Sequence, residues 1–187
     1  MTAQHLFHVR GYDAVSIAEL TAALGINPPS FYAAFGSKAA LFHRVLDRWA
    51  GSGAIPLTDM LQPDRPAAEA LSALLEAAAR RYAADPAATG CLVLEGTRCD
   101  DPEARRAALS FNQAGEAVIR EYIKARHPEE AQRLADFVST TMSGLSAKAR
   151  HGHSLEQLLA TARLAALAIE QALSDQLRTV TKRNPQQ

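Results

Sequence analysis

The sequence predicts an all-α fold of about nine helices, in which a small N-terminal domain precedes a larger helical bundle. Alanine, the strongest helix former, supplies 38 of the 187 residues, whereas the aromatic residues that strands favour make up 6%. Apolar residues recur at helical spacing in most segments between the prolines and glycines. With 48% hydrophobic and 21% charged residues, the chain has the composition of a globular protein with a buried core.

Charge and hydropathy exclude several classes of protein. The 20 Lys and Arg balance the 20 Asp and Glu, so any nucleic-acid site must be a local feature. No apolar run approaches the roughly 18 residues that span a bilayer, and the first residues lack the apolar stretch of a signal peptide. We therefore expect a cytoplasmic protein without a membrane partner.

Residues that typically begin or end helices locate the first two helices. Leu6 and Phe7 lie in an apolar stripe that stops at Gly11. Ser16 can cap the second helix, and Glu19 three residues later completes a capping box. Gly25 then ends this helix.

The third and fourth helices follow immediately. Asn27 can act as an N-cap before Pro28, which suits the first helical position, and this short helix ends near Gly36. Ser37 caps a fourth helix whose apolar residues follow helical spacing as far as Trp49. Two short helices joined by a tight turn and supported by flanking helices form a helix-turn-helix, which presents one helix to the DNA major groove.

The spacing of prolines and glycines predicts the division of the chain. Residues 1–50 form the N-terminal domain, 51–65 a linker, 66–180 the helical bundle and 181–187 a frayed tail. Within the bundle we expect five helices. After the first, which follows Pro66, the expected starts are Asp85-Pro86, Asp101-Pro102, His127-Pro128 and Gly152-His153-Ser154.

The stretch from Leu155 to Ala172 is apolar around most of its circumference. Such a helix must be buried on several sides, which in a chain of this size favours a subunit interface. The alternative is a central helix in a monomeric bundle.

Other candidate sites are weak. Cys91 and Cys99 are expected to be reduced, buried thiols; a redox-sensing role would require a depressed thiol pKa. His151 and His153 lack a third ligand nearby, so we expect no metal site and no cofactor. No phosphate loop, nucleophile elbow or zinc-protease motif occurs, so the sequence does not predict an enzyme.

The segment GYDAVSIAELTAALGINPPSFYAAFGSKAALF resembles the TetR family of one-component transcriptional regulators, and the match extends from Leu6 to about Trp49. The segments GCLVLEGT and MSGLSAKARHGHSLEQLL resemble, more loosely, the effector-binding and dimerisation half of some members. The resemblance implies a ligand-responsive regulator, more often a repressor. Such a protein binds a palindromic double-stranded DNA operator as a homodimer and responds to a small-molecule effector.

The resemblance also implies which residues contact DNA. They are Ser16, Asn27, Pro29, Ser30, Tyr32, Ser37 and Lys38. Tyr32 would contact a phosphate, and a DNA phosphate would offset the unfavourable position of the Lys38 cation at a helix N-terminus. The alternatives are a Tyr32 that closes the small core, a solvated Lys38 and serines that serve only as caps. The ligand-binding residues are not predicted.

Some positions depart from the family pattern. The first helix is shorter than in most members, and Ala33 and Ala34 replace residues that are often Arg or His. Residues 1–50 contain four Lys and Arg against three Asp and Glu, a weak positive charge for a DNA-binding domain. The alternative function is therefore a ligand-binding or scaffold bundle that has lost DNA binding through a truncated N-terminus.

Overall fold

The computed structural model describes the backbone of residues 2–183 and the side chains of residues 2–174. Over this part of the chain the regular elements are helices, which confirms the all-α prediction. The helices are α1 (Thr2–Arg10), α2 (Ile17–Leu24), α3 (Pro28–Phe35), α4 (Lys38–Ser52), α5 (Leu57–Met60), α6 (Ala67–Tyr82), α7 (Leu92–Gly96), α8 (Pro102–Lys124), α9 (Ala131–Arg150) and α10 (Leu155–Arg183), with a 3₁₀ turn at Pro128–Glu130.

The N-terminal core is built by α1 to α4 and completed by residues from later in the chain. Phe7, Phe31 and Phe42 are buried between these four helices. Leu92 from α7 and Ala108 from α8 belong to the same cluster. The helix-turn-helix core therefore includes the segment that enters the second domain, so the two units share a continuous interface.

The second core lies between α6, α9 and α10. Leu74 and Leu75 of α6 are fully buried, and they share a cluster with Val138 of α9 and with Leu158 and Ile169 of α10. In the stretch predicted as a linker, α4 continues through Ser52 and the short helix α5 follows. Of the predicted tail, residues 181–183 continue α10, and residues 184–187 lie outside the described residues.

The predicted helix starts have different outcomes. Asp101 caps α8 as predicted, and its carboxylate accepts hydrogen bonds from the backbone N–H groups of residues 103 and 104. The helix start at Asp85 is wrong. Asp85 caps a single turn, because Gly90 adopts a left-handed conformation (φ +79°) that an α-helix cannot continue through, and the next helix begins at Leu92.

The two cysteines flank α7, Cys91 before it and Cys99 after it, and both are free thiols. Burial raises the pKa of both, so neither has the depressed pKa that a redox sensor needs. Within residues 2–183 none of the helices has the length and apolar character needed to cross a membrane. Within the described residues there is also no cluster of three or more His, Cys, Asp or Glu side chains suited to a metal ion.

Candidate nucleic-acid interface

The first helix of the helix-turn-helix unit, α2, begins with the predicted capping box. Ser16 Oγ accepts a hydrogen bond from the Glu19 backbone N–H (3.2 Å), and the Glu19 carboxylate accepts from the Ser16 backbone N–H (2.8 Å). These hydrogen bonds and the one from Arg10 lower the pKa of Glu19 to about 2. Two of the backbone donors at the start of α2 are thereby satisfied locally.

The turn between α2 and α3 depends on Gly25. This residue has φ +67°, a conformation that glycine adopts at little cost, and its left-handed geometry redirects the chain after α2. Asn27 then caps α3, because its Oδ1 accepts from the Ser30 backbone N–H (2.8 Å). The hydrogen-bonded caps fix the relative orientation of the two helices over only three intervening residues.

The outward face of α3 carries most of the predicted DNA-contacting residues. Asn27, Pro29 and Ser30 are exposed, and the Tyr32 side chain is 51% exposed. Phe31, on the opposite face, is fully buried and supports the Tyr32 ring edge-on at 5.6 Å between centroids. Tyr32 is thus an accessible aromatic side chain whose ring is supported by a buried ring.

At the start of α4, Ser37 Oγ accepts from the Ala40 backbone N–H (2.9 Å), so this serine acts as a cap. The Lys38 Nζ lies 4.1 Å from the centroid of the Tyr12 ring. Partial burial lowers the pKa of Lys38, while nearby Asp13 and Asp101 act in the opposite direction. Lys38 is therefore held against an aromatic ring between carboxylates rather than fully solvated.

Two other cations of the N-terminal domain have intramolecular partners. Arg10 forms an ion pair with Glu19 and donates to the Ala14 carbonyl oxygen (2.8 Å). The Arg44 guanidinium lies 5.6 Å from the Phe35 ring centroid. The Arg10–Glu19 ion pair reduces the attraction of this domain for DNA, whereas Arg44 keeps its charge, and contacts from helix N-termini and hydroxyl groups gain importance.

An interdomain latch, formed by His8, Gly90, Glu95 and Arg150, connects α1 to the second domain. The His8 Nε2 donates to the Gly90 carbonyl oxygen (3.2 Å), and Arg150 Nη2 donates to the His8 carbonyl oxygen (2.7 Å). The Arg150 Nε lies 3.1 Å from a Glu95 carboxylate oxygen. Sequence reasoning missed this latch, because its partners are separated by as many as 142 residues and no local pattern marks them.

A second connection between the domains lies beside Lys38. The Tyr12 hydroxyl donates to the Asp101 carboxylate (2.7 Å), which lowers the pKa of Asp101. The Asp13 carboxylate accepts from the Asp100 backbone N–H (3.0 Å). These hydrogen bonds join the loop after α1 to the start of α8. A movement of α8 would therefore displace part of the DNA-binding domain.

Acid should weaken the interdomain latch through His8. Burial and the cations of Arg150 and Arg81 lower the pKa of His8, whereas the Gly90 hydrogen bond and Asp85 raise it by less. The unfolded chain therefore binds the proton more readily than the folded chain. The contribution of neutral His8 to the free energy of unfolding is fully present above the unfolded histidine pKa of about 6.5, and it falls as the pH drops below that value.

The measurement is urea denaturation at about pH 7.5 and pH 5.5, on either side of that unfolded value. Wild type should lose more stability than His8→Gln over this range. The control is His43→Gln, since His43 is exposed and contacts Asp47 at 3.3 Å. Equal losses for wild type and His8→Gln would contradict the role of His8.

Comparison with known proteins agrees with this geometry. Residues 2–45 match the model for the N-terminal region of bacterial regulatory proteins of the tetR family. Over 173 residues the chain is 56% identical to the HTH-type transcriptional repressor BdcR of Escherichia coli strain K12, covering 92% of this chain and 88% of that protein. It is 29% identical over 168 residues to the repressor ComR of the same strain, covering 84% and 80% of the two chains.

A solved structure matches over nearly the whole chain. It is a cysteine-substituted form of the TetR family transcriptional regulator CifR, complexed with a 26-base-pair double-stranded operator DNA. The TM-score is 0.81 at 33% identity, and the match covers 89% of this chain and 93% of that one. These relatives are transcriptional regulators and not enzymes. Because the likeness extends through both domains and includes the helix-turn-helix described above, the chain belongs to the TetR family of transcriptional regulators.

Proposed function

We propose that this regulator is an effector-responsive repressor that binds a palindromic operator as a homodimer. The observation that carries the proposal is the outward face of α3, where polar and aromatic side chains are exposed above a buried Phe31. A rigid helix with an accessible polar face is what major-groove recognition requires. Chromosomal DNA as the partner implies that the protein acts in the cytoplasm.

The predicted contact residues have distinct roles in this proposal. Pro29 and Ser30 lie in the first turn of α3, and in this proposal they contact base edges while the Tyr32 hydroxyl donates to a phosphate. Ser16 and Ser37 mark helix N-termini whose remaining N–H groups can hold phosphates. Asn27 orients the start of α3, and the Lys38 ammonium adds a cation beside the phosphate backbone.

Homodimerisation is supported by apolar surface on the last two helices. Leu164 and Leu167 of α10 are 69% and 61% exposed, and Phe137 of α9 is also exposed. Large apolar side chains at these positions favour an interface between copies of the chain. A two-fold axis through α9 and α10 would relate two α3 helices, which read half-sites about 34–36 Å apart on successive turns of DNA.

Gel retardation with the DNA that flanks the gene of this protein tests operator binding. We expect a discrete complex whose footprint is a palindrome. Failure to retard any of this DNA would support the alternative of a helical bundle without DNA-binding activity. The size of the complex, measured by light scattering, distinguishes one bound dimer from one bound monomer.

Substitutions on α3 should separate phosphate contacts from base contacts. Tyr32→Phe removes one hydroxyl donor, so we expect a similar loss of affinity, about threefold to tenfold, for all operator variants. Ser30→Ala should instead change the ranking of operator variants, because a base contact carries sequence preference. The two patterns are measured by retardation against a set of single-base operator variants. The reverse assignment of the patterns would contradict these roles.

Effector control requires coupling between the domains. The long helix α4 begins in the helix-turn-helix unit and ends at Ser52, beside α6 of the bundle, where Arg81 Nε donates to the Gly53 carbonyl oxygen (2.7 Å). We infer that α4 transmits effector binding to α3. A coupling free energy of about 1–3 kcal/mol is typical and corresponds to a change of roughly 5- to 150-fold in operator affinity.

A further inference from the structure

A cavity of about 120 Å³ lies between α4, α6, α7, α8 and α9. Its wall is mainly apolar and includes the side chains of Trp49, Tyr82, Leu94, Phe111, Ile119 and Met142. An apolar cavity of roughly 150 Å³ holds one benzene molecule in a protein core. The volume here therefore suits a single ring or a short aliphatic chain.

One wall of the cavity is polar. Asn112 and Glu116 are one turn apart on α8, so their side chains share a face, and Asn112 Nδ2 donates to Glu116 Oε1 (2.9 Å). This bond leaves the second carboxylate oxygen and the amide oxygen as acceptors. Opposite them on α9, the Ser139 hydroxyl donates to the Asp136 carbonyl oxygen (3.2 Å), so its oxygen also remains an acceptor. The second oxygen of the Glu116 carboxylate is therefore available to a donor group on a ligand.

The cation at the cavity is already engaged by the protein. Arg81 donates through Nε to the Gly53 carbonyl oxygen (2.7 Å), and its guanidinium lies 5.1 Å from the Trp49 ring centroid. The bond to Gly53 uses one of the five N–H donors of Arg81, so the guanidinium attracts an anionic ligand while the Glu116 carboxylate repels it. With one cation and one carboxylate in its lining, the cavity has no net charge that selects an anion.

We propose that this cavity binds a small, largely apolar molecule of about one ring, whose hydroxyl or amine head donates a hydrogen bond to Glu116. The assignment rests on the proposed function, because it names the chemical class of the effector. The same cavity touches Trp49 of α4 and Leu94 of α7, whereas Leu92 on the other face of α7 lies in the helix-turn-helix core. A ligand here would thus press on the two elements that connect the bundle to the DNA-binding domain.

Two isomeric probe molecules test how much a hydrogen-bond donor on the ligand contributes to binding. Benzyl alcohol and anisole have the same heavy atoms, but only benzyl alcohol has an O–H to donate. We expect wild type to bind benzyl alcohol more tightly than anisole, because a hydrogen bond to a charged acceptor offsets the cost of dehydrating the hydroxyl. Benzoate, the anionic probe, should bind most weakly. Calorimetry measures the affinities, and quenching of Trp49, the single tryptophan, reports occupancy of the cavity.

Substitutions place the binding at this cavity. Glu116→Leu removes the acceptor, so the preference should reverse in favour of anisole, a change of at least about tenfold in the affinity ratio. Glu121→Leu, on the same helix but outside this cavity, should leave the ratio unchanged. A Cβ at Gly115 meets only Leu57 Cδ1 at 3.6 Å, so Gly115→Leu should fold, fill the cavity and abolish binding of both probes. Thermal melts confirm that each variant is folded.

Several outcomes would overturn the proposal. They are an unchanged affinity ratio in Glu116→Leu, benzoate as the tightest probe, undiminished binding by folded Gly115→Leu, and no binding of any probe to wild type. These measurements need no DNA, so they are independent of operator binding. If the probes bind as expected but protein saturated with benzyl alcohol still binds the operator, the result would instead contradict effector control in the proposed function.

Discussion

Glutamate at both Leu164 and Leu167 is expected to convert the protein from a dimer into a folded monomer and to lower operator affinity by orders of magnitude. These side chains are among the most exposed apolar groups in the part of the chain whose side chains are described. A charge that is buried without a partner in an interface costs several kcal/mol, whereas in an isolated protomer the same glutamates remain solvated. A monomer reads one half-site only and loses the contribution of the second.

Light scattering at micromolar concentration, together with gel retardation, measures this effect. The matched control is Leu109→Glu, since Leu109 is also exposed but lies on α8. Leu159 is unsuitable for the test, because it is 9% exposed within the core of its own protomer and a charge there would unfold the chain. A double variant that remains dimeric would place the interface elsewhere.

Phe42→Ala is expected to destabilise the protein by about 3–5 kcal/mol, a large fraction of the roughly 5–15 kcal/mol of a typical domain. Phe42 is 1% exposed, and its ring meets those of Phe7 and Tyr12 edge-on at 5.1 and 5.0 Å. It also lies against Gly96, where an added Cβ would meet Phe42 Cζ at 2.9 Å. Removal of the ring would leave a cavity between the helix-turn-helix core and α7, so operator binding should fall with stability.

Urea denaturation at neutral pH measures the loss. Phe111→Ala serves as the control, because Phe111 is only partly buried at the edge of the same cluster, and its substitution should cost less. A decrease of less than about 1 kcal/mol in the free energy of unfolding of Phe42→Ala would contradict a stabilising role for the core that α1 to α4 share with α7 and α8.

The predictions that the structure confirms come from short-range chemistry. The caps at Ser16, Asn27, Ser37 and Asp101 each join a side chain to a backbone group two or three residues away. Such bonds can be read from residue type and spacing, since the partners are adjacent in every conformation of the local chain. The error at Asp85 has the same origin: a cap signal marks a first turn, but the conformation of Gly90, five residues later, decides whether the helix continues.

By itself, the sequence determined the helical composition, the position of the helix-turn-helix and the family, because these depend on local propensity and on residues contiguous in the chain. Only the tertiary structure decided that α7 and α8 complete the N-terminal core and that Arg150 reaches His8. It also decided that Lys38 lies against Tyr12 and that a cavity opens beside Glu116. The physical reason is that these features depend on how helices far apart in sequence are rotated and spaced when they pack, which periodicity along one helix does not encode.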